Sequence, residues 1–315
     1  VIKIFLTYKG KLMLIKKALL SICIFTTLLS TAGCEDKEAK ATIERQAQII
    51  NQLTTENTQL KEKNENLIPA ILVNKEVIFE KLEKINYPTS QEHWFDGHSA
   101  PISLNIWGLK TNITWLNELL WTELMQSEFS ENTPKTREQA VARYETLFNQ
   151  IKSDMQAQPE IGFSRNAWLG FIGQKEKLST FFIGYYSYEG GAHGVGGKQY
   201  LTVDMNRRQV VNFSDVFDEK KLPEIKELLW RIYTDFGNVN EEQVFTPKAD
   251  FEVSKNFYLA HDGIHFIYHV YEIAPYVAGE QDLTVSWDWF LEGNLLKPEF
   301  IQQQYYDLTP APIVE

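Results

Sequence analysis

Cysteine is almost missing from this sequence: 315 residues hold two, Cys23 and Cys34, both within the first 34 positions. A disulfide framework, a thiolate metal cage and a cysteine nucleophile are excluded for everything downstream. Long apolar runs are missing too. The most apolar stretch, Ala18 to Leu29, is shorter than the ~20 residues a helix needs to cross a bilayer. No Gly-x-Ser-x-Gly elbow, Ser-x-x-Lys pair or His-Glu-x-x-His helix occurs, so the common signatures of serine and zinc hydrolases are absent. Acidic pairs such as Asp215 and Asp218 exist, but no pattern converges two carboxylates on a substrate.

What is present begins with a targeting segment. Lys16 and Lys17 precede the apolar run, which ends in Ser30-Thr31-Ala32-Gly33-Cys34. Basic start, short apolar centre and small residues at the end read as a signal peptide over residues 1–33. The final residues resemble the bacterial lipobox, with Thr31 where that motif usually has Leu. The resemblance implies cleavage before Cys34 and a lipid on its thiol; an ordinary secretory cut or an uncleaved anchor is the alternative. Val1 to Leu12 read as an upstream extension and Met13 as the start. The expected location is the cell envelope, in the periplasm or at the surface, with the outer membrane slightly favoured. Removing residues 1–34, with five lysines and no acid, leaves 26 basic against 42 acidic residues, a formal charge of −16. Such a chain repels nucleic acid and attracts cationic partners.

Residues 34–69 read as a charged leash followed by a stalk. Ile43, Ile50, Asn57 and Asn64 recur every seven residues, with Leu53, Leu60 and Leu67 three behind the last three. These are the a and d positions of a coiled coil, weak at Gln46, and they imply a homodimer or one solvated helix. Pro69 ends it.

Beyond Pro69 the periodicity alternates between two and 3.6. Val77 to Ile85 and Pro101 to Trp107 are expected strands. A helix then buries Leu116, Leu120 and Leu124, and a second, opened by Thr136-x-x-Gln139, buries Ala140, Tyr144, Leu147 and Ile151. Ala167 to Ile172, Leu178 to Tyr188 and Tyr200 to Met205 are further strands, before a helix from Leu222 to Phe236 with Pro223 in its first turn. Asn256 to His261 and Ile264 to Glu272 form a hairpin turning at Asp262-Gly263, and Leu283 to Trp287 is the last strand. The class is α+β: antiparallel sheets with packed helices, in two lobes, 70–175 and 176–300, then a polar tail over 301–315.

The strongest local pattern is Tyr188-Glu189-Gly190-Gly191-Ala192-His193-Gly194, followed by Tyr200-x-x-x-Asp204 and Phe213-Ser214-Asp215-Val216-Phe217. Asp262-Gly263-Ile264-His265-Phe266 and Tyr271-Glu272-Ile273-Ala274-Pro275-Tyr276-x-x-Gly279 come after it. In this order they resemble the extracytoplasmic domain of the RsiV family, a DUF3298 module in the second lobe preceded by a DUF4163-like region in the first. The anti-sigma members bind lysozyme through this domain, and others carry a peptidoglycan deacetylase. This sequence has a lipobox and stalk in place of the sigma-binding segment and membrane span. The resemblance therefore implies a non-enzymatic protein that needs no cofactor and binds a lysozyme-like muramidase or a peptidoglycan fragment. Tyr188, Glu189, Gly190, Gly191, His193, Tyr271 and Tyr276 are its candidate recognition residues.

Simpler readings stand beside these. Gly190-Gly191 suits a plain structural turn with His193 bonded to backbone. His261, His265 and His269 with Glu272 suggest a metal site, though a solvated sheet rim accounts for them more simply. Aromatic residues of the 181–188 strand can stack on sugar rings or fill a core. A carbohydrate-active or metal-dependent hydrolase is the alternative function.

Overall fold

The computed structural model describes residues 37–65, 68–88, 98–236 and 244–302. The signal segment, Cys34, Leu67 and the polar tail beyond Gln302 lie outside them. The chain divides into two units, residues 1–67 and 68–315.

The first unit contributes one helix, α1 (Lys37–Glu65). It begins inside the expected leash, where Glu38 in the first turn favours the positive end of the helix dipole. Ile43, Ile50 and Leu53 are 57%, 62% and 57% exposed, so these three apolar seam residues are unburied. No helix among the described residues is long and apolar enough to cross a membrane.

The second unit is α+β. Its first sheet contains β1 (Val73–Asn86), β2 (Ser99–Thr111), β3 (Phe163–Lys175), β4 (Leu178–Tyr188), β5 (Val195–Asp204) and β6 (Gln209–Val210), in that spatial order. Helices α2 (Thr114–Glu128) and α3 (Arg137–Ala157) connect β2 to β3. A crossover of that length returns the chain in its original direction, so β2 and β3 pair in parallel while the other neighbours are antiparallel. The first sheet is therefore antiparallel, as expected, except for this one parallel pair, and the second sheet is antiparallel throughout.

Strand β2 alternates cleanly: Ile102, Leu104 and Ile106 are fully buried, and the residues between them face outward. The inward row meets Leu116, Leu120 and Leu124 of α2 and Tyr144 and Phe148 of α3 in one core, completed by Phe181, Ile183, Leu201 and Val203. Helix α3 buries Ala140 and Tyr144 as expected, together with Phe148 and Met155, whereas the expected Leu147 and Ile151 flank the core. Its start follows the capping pattern: Thr136 Oγ1 accepts from the Gln139 N–H at 3.3 Å. The Gln139 side chain reaches one residue further back, to the Lys135 N–H.

A second core gathers around β7 (Phe257–Leu259), β8 (Gly263–Tyr268) and β9 (Gln281–Ser286), with α4 (Phe213–Val216), α5 (Leu222–Arg231), α6 (Trp287–Glu292) and α7 (Pro298–Gln302). Phe217 is its hub, with ring centroids of Phe213, Phe257, Phe266 and Phe290 at 4.6 to 6.0 Å. The π-helical turn Ile232–Phe236 continues α5. Three expectations shift here. The β7–β8 turn centres on His261-Asp262, since Leu259 pairs Ile264 and the Ala260 N–H donates to the Gly263 carbonyl. Strand β8 ends at Tyr268 rather than Glu272, and Trp287 opens a helix rather than closing β9. The 175/176 division falls in the turn between the paired strands β3 and β4; the first core runs on to Met205, and the second takes Leu178 and the buried residues from Val211 onward.

Replacing Phe217 by Ala should lower unfolding free energy by about 3–5 kcal/mol, and Thr136→Ala by about 1 kcal/mol, measured by urea denaturation. Equal effects would contradict the two different roles.

Candidate functional site

Along β5 the hydrogen-bonding edge is mostly open. Strand β6 pairs with it only at Val203 and Asp204, the buried Asp204 side chain accepting from Asn206 and Arg207 N–H to close the turn. The rest of the edge is capped by side chains. Asn256, just ahead of β7, accepts from the Tyr200 N–H at 2.8 Å and donates to the Lys198 carbonyl at 2.7 Å. Glu280, just ahead of β9, accepts from the Lys198 N–H at 3.1 Å. Tyr200 and Tyr258 stack across the join at 4.6 Å. The second sheet is thus docked on the first through backbone groups that would otherwise be unpaired.

This docking brings the β4–β5 loop against the loop between β8 and β9. Gly190 and Gly191 have φ of 92° and 87°, a region that costs glycine little. The Tyr188 hydroxyl donates to the Gly191 carbonyl at 3.0 Å and Ser187 donates to Glu189 at 2.9 Å. The His193 ring stacks on Tyr276 at 4.0 Å. Its Nδ1 lies 3.1 Å from the Gly194 carbonyl, which also accepts from the Tyr276 hydroxyl at 2.9 Å. A carbonyl only accepts, so Nδ1 carries the proton and Nε2 turns toward the Tyr271 hydroxyl at 3.5 Å. The expected His193 bond to backbone and its place in a surface cluster therefore coexist.

Tyr271 is the strained member. Its φ is 71°, unusual for an aromatic residue, yet its side chain is 50% exposed. The loop around it is tied down: Tyr271 N–H donates to the Ala274 carbonyl, Thr246 to the Glu272 carbonyl, and the Tyr233 hydroxyl to the Ile273 carbonyl. Ile273 and Ala274 are buried. Next to Tyr276, Val277 is 92% exposed. His193, Tyr271 and the half-buried Tyr276 thus form a surface aromatic cluster on a braced frame, while Tyr188, Glu189, Gly190 and Gly191 shape the loop that carries His193.

Two further histidines, His265 and His269, are held by carboxylates. His265 lies 2.9 Å from Asp282 and 3.1 Å from Asp262, and it stacks on Tyr258. Burial pulls its pKa down, but bonds to Asp282 and Asp262 outweigh this and the net shift is upward. Asp262 is held below the usual carboxylate range, chiefly by His265. His269 Nδ1 lies 3.5 Å from Glu280, an ion-pair separation too long for a good hydrogen bond. That carboxylate still raises the imidazole pKa, against the effect of burial. Both His265 nitrogens are thus engaged by carboxylates, and His269 sits in the turn after β8. Among the described residues no group of three such side chains is placed to hold a metal ion. Asn256, Glu280 and Asp282 had no signature in the sequence, since each acts through a partner far along the chain.

The fold defines an α+β protein with a side-chain-capped junction between two sheets. Residues 214–288 match the family model described as a protein of unknown function, DUF3298. The matched segment includes Tyr271 and Tyr276; Tyr188 to His193 precede it. Two solved structures share the fold. A member of the DUF3298 family from Bacteroides fragilis NCTC 9343 is 19% identical, with TM-score 0.58, over 76% of this chain and 99% of that one. A DUF3298 family protein from Pseudomonas aeruginosa PAO1 is 18% identical, with TM-score 0.52, over 75% and 98%. No curated protein matches.

Both imidazoles have folded pKa values above 6.5. Their pairing therefore stabilises fully below pH 6.5 and is lost as pH rises through the folded values. Urea denaturation across about pH 6 to 9 should show a fall in stability that is flatter in His265→Gln/His269→Gln. Parallel profiles would remove these ion pairs from the account.

Proposed function

We propose that this chain is a non-enzymatic receptor of the bacterial cell envelope, lipid-anchored at Cys34, that grips a basic muramidase of the lysozyme class. The observation that carries the reading is the surface His193–Tyr271–Tyr276 cluster, with Tyr271 exposed on braced, positive-φ backbone. Large aromatic side chains held rigid at a surface are typical centres of protein recognition, because little conformational freedom is lost on binding. Glu272, next to Tyr271 in the chain, and the charge of −16 after residue 34 favour a cationic partner and speed encounter. The resemblance to the RsiV family, with its DUF4163-like first lobe, points to the same partner class. The lipobox and stalk then replace a membrane span and hold the domain outside the membrane.

Titration of the full chain with several basic lysozymes should show binding that weakens between low and moderate salt. Tyr271→Ala and Tyr276→Ala should each cost about 2 kcal/mol. Absence of binding to any lysozyme at low salt would end this reading.

The anchor and stalk share one variant. Cys34→Ser should move the chain from the membrane fraction to the soluble fraction. Sedimentation of the soluble form should give twice the chain mass if the unburied seam of α1 pairs with a second copy. Retention in the membrane fraction refutes the lipid anchor, and a monomer mass refutes the pairing.

A further inference from the structure

The face of the first sheet opposite α2 and α3 carries a trough of about 590 Å³ lined by Lys75, Trp107, Leu109, Asn166, Trp168 and Tyr186. The outward rows of β1 to β4 build it, with Lys75 of β1 opposite Leu109 of β2. Trp107 of β2 pairs with Trp168 of β3, and Asn166 of β3 pairs with Tyr186 of β4. Among the described tryptophans, Trp115, Trp121, Trp230, Trp287 and Trp289 pack in or against one of the two cores; Trp107 and Trp168 join neither. Tyr186 is 38% exposed. Indoles left partly in water forgo burial energy that a core position would supply.

The strand beside them is shaped to hold them. A Cβ at Gly184 would stand 2.3 Å from Trp168 Cε2, so the indole rests against bare backbone that no other residue would leave open. The Lys75 ammonium sits 3.6 Å from the Trp107 ring centroid. Asn166 adds a polar group to the lining and is tied to its neighbours. Asn105 donates to Asn166 at 2.8 Å, and Asn166 donates to Ser164 at 3.2 Å. By their donor inventory each amide keeps an N–H, and Asn105 its oxygen, for a further partner.

We infer that this trough is a saccharide site that takes a short chain of β-linked pyranoses. Such rings present apolar C–H faces to aromatic side chains and a rim of hydroxyls to amides and an ammonium, the two chemistries found together here. Neighbouring strands lie about 4.8 Å apart, close to the length of one pyranose unit. A platform from β2 to β4 therefore accommodates two or three units (roughly two strand spacings). A compact cation or a peptide would not need paired indole faces. The site goes beyond the protein partner proposed above and does not depend on it.

The test titrates the full chain with chitotriose and cellotriose, with α-linked maltotriose as control, following the tryptophan side-chain N–H resonances. Binding of a β-linked trisaccharide is expected, weakened about tenfold by Trp107→Ala or Trp168→Ala. Tyr186→Ala, at an exposed position, supplies the same readout if a tryptophan variant does not fold. Tyr271→Ala should leave the sugar affinity unchanged, which separates this site from the protein-binding cluster. The inference is overturned if neither β-linked sugar binds, if maltotriose binds equally well, or if a folded trough variant keeps full affinity. A loss with Tyr271→Ala as large as with Trp168→Ala would overturn its placement.

Discussion

The open edge of β5 is the constraint on which the rest of this structure depends. Lys198 and Tyr200 present backbone groups that no strand covers, and an unpaired buried amide costs about as much as a broken hydrogen bond. Asn256 supplies both a donor and an acceptor to that edge, and Glu280 adds an acceptor. Because those side chains precede β7 and β9, satisfying β5 fixes where the second sheet lies. The Tyr200–Tyr258 stack then adds apolar contact to a join that polar bonds have positioned.

The recognition cluster follows from that docking. His193 belongs to the loop after β4, and Tyr271 and Tyr276 to the loop after β8; they meet because the two sheets are locked together. Strain at Tyr271 persists because three hydrogen bonds and the burial of Ile273 and Ala274 determine the loop around it. An exposed aromatic group held this way loses little freedom on binding. At the same junction His269 meets Glu280, which also caps Lys198, whereas His265 is paired within the second sheet with Asp262 and Asp282.

Much of this was legible in the chain, and the limits have physical causes. Strand and helix periodicities located β2, α2, α3 and α5 because each buries one face, and burial of one face writes the pattern. The Thr136 cap and the first-turn Pro223 were readable because both act within one helical turn. Misplaced details were those decided by distant contacts. The one-residue shift of the β7–β8 turn depends on pairing with β9. The helical start at Trp287 depends on the second core, and the parallel β2–β3 pair depends on a crossover whose packing no local pattern records. In the candidate site, glycines and aromatics marked the loops, while Asn256, Glu280 and Asp282 gave no local sign.

By itself the sequence determined the absence of thiols after Cys34, the heptad spacing within α1, the acidic balance and the α+β pattern. These are properties of composition and of short-range spacing, which need no folded partner to exist. Only the tertiary structure decided that His193, Tyr271 and Tyr276 share one surface, that His265 and His269 face carboxylates, and that Trp107 and Trp168 lie outside both cores. Those facts arise from residues scores of positions apart being brought within a few ångströms, and that proximity is set by which backbone groups and apolar faces had to be covered.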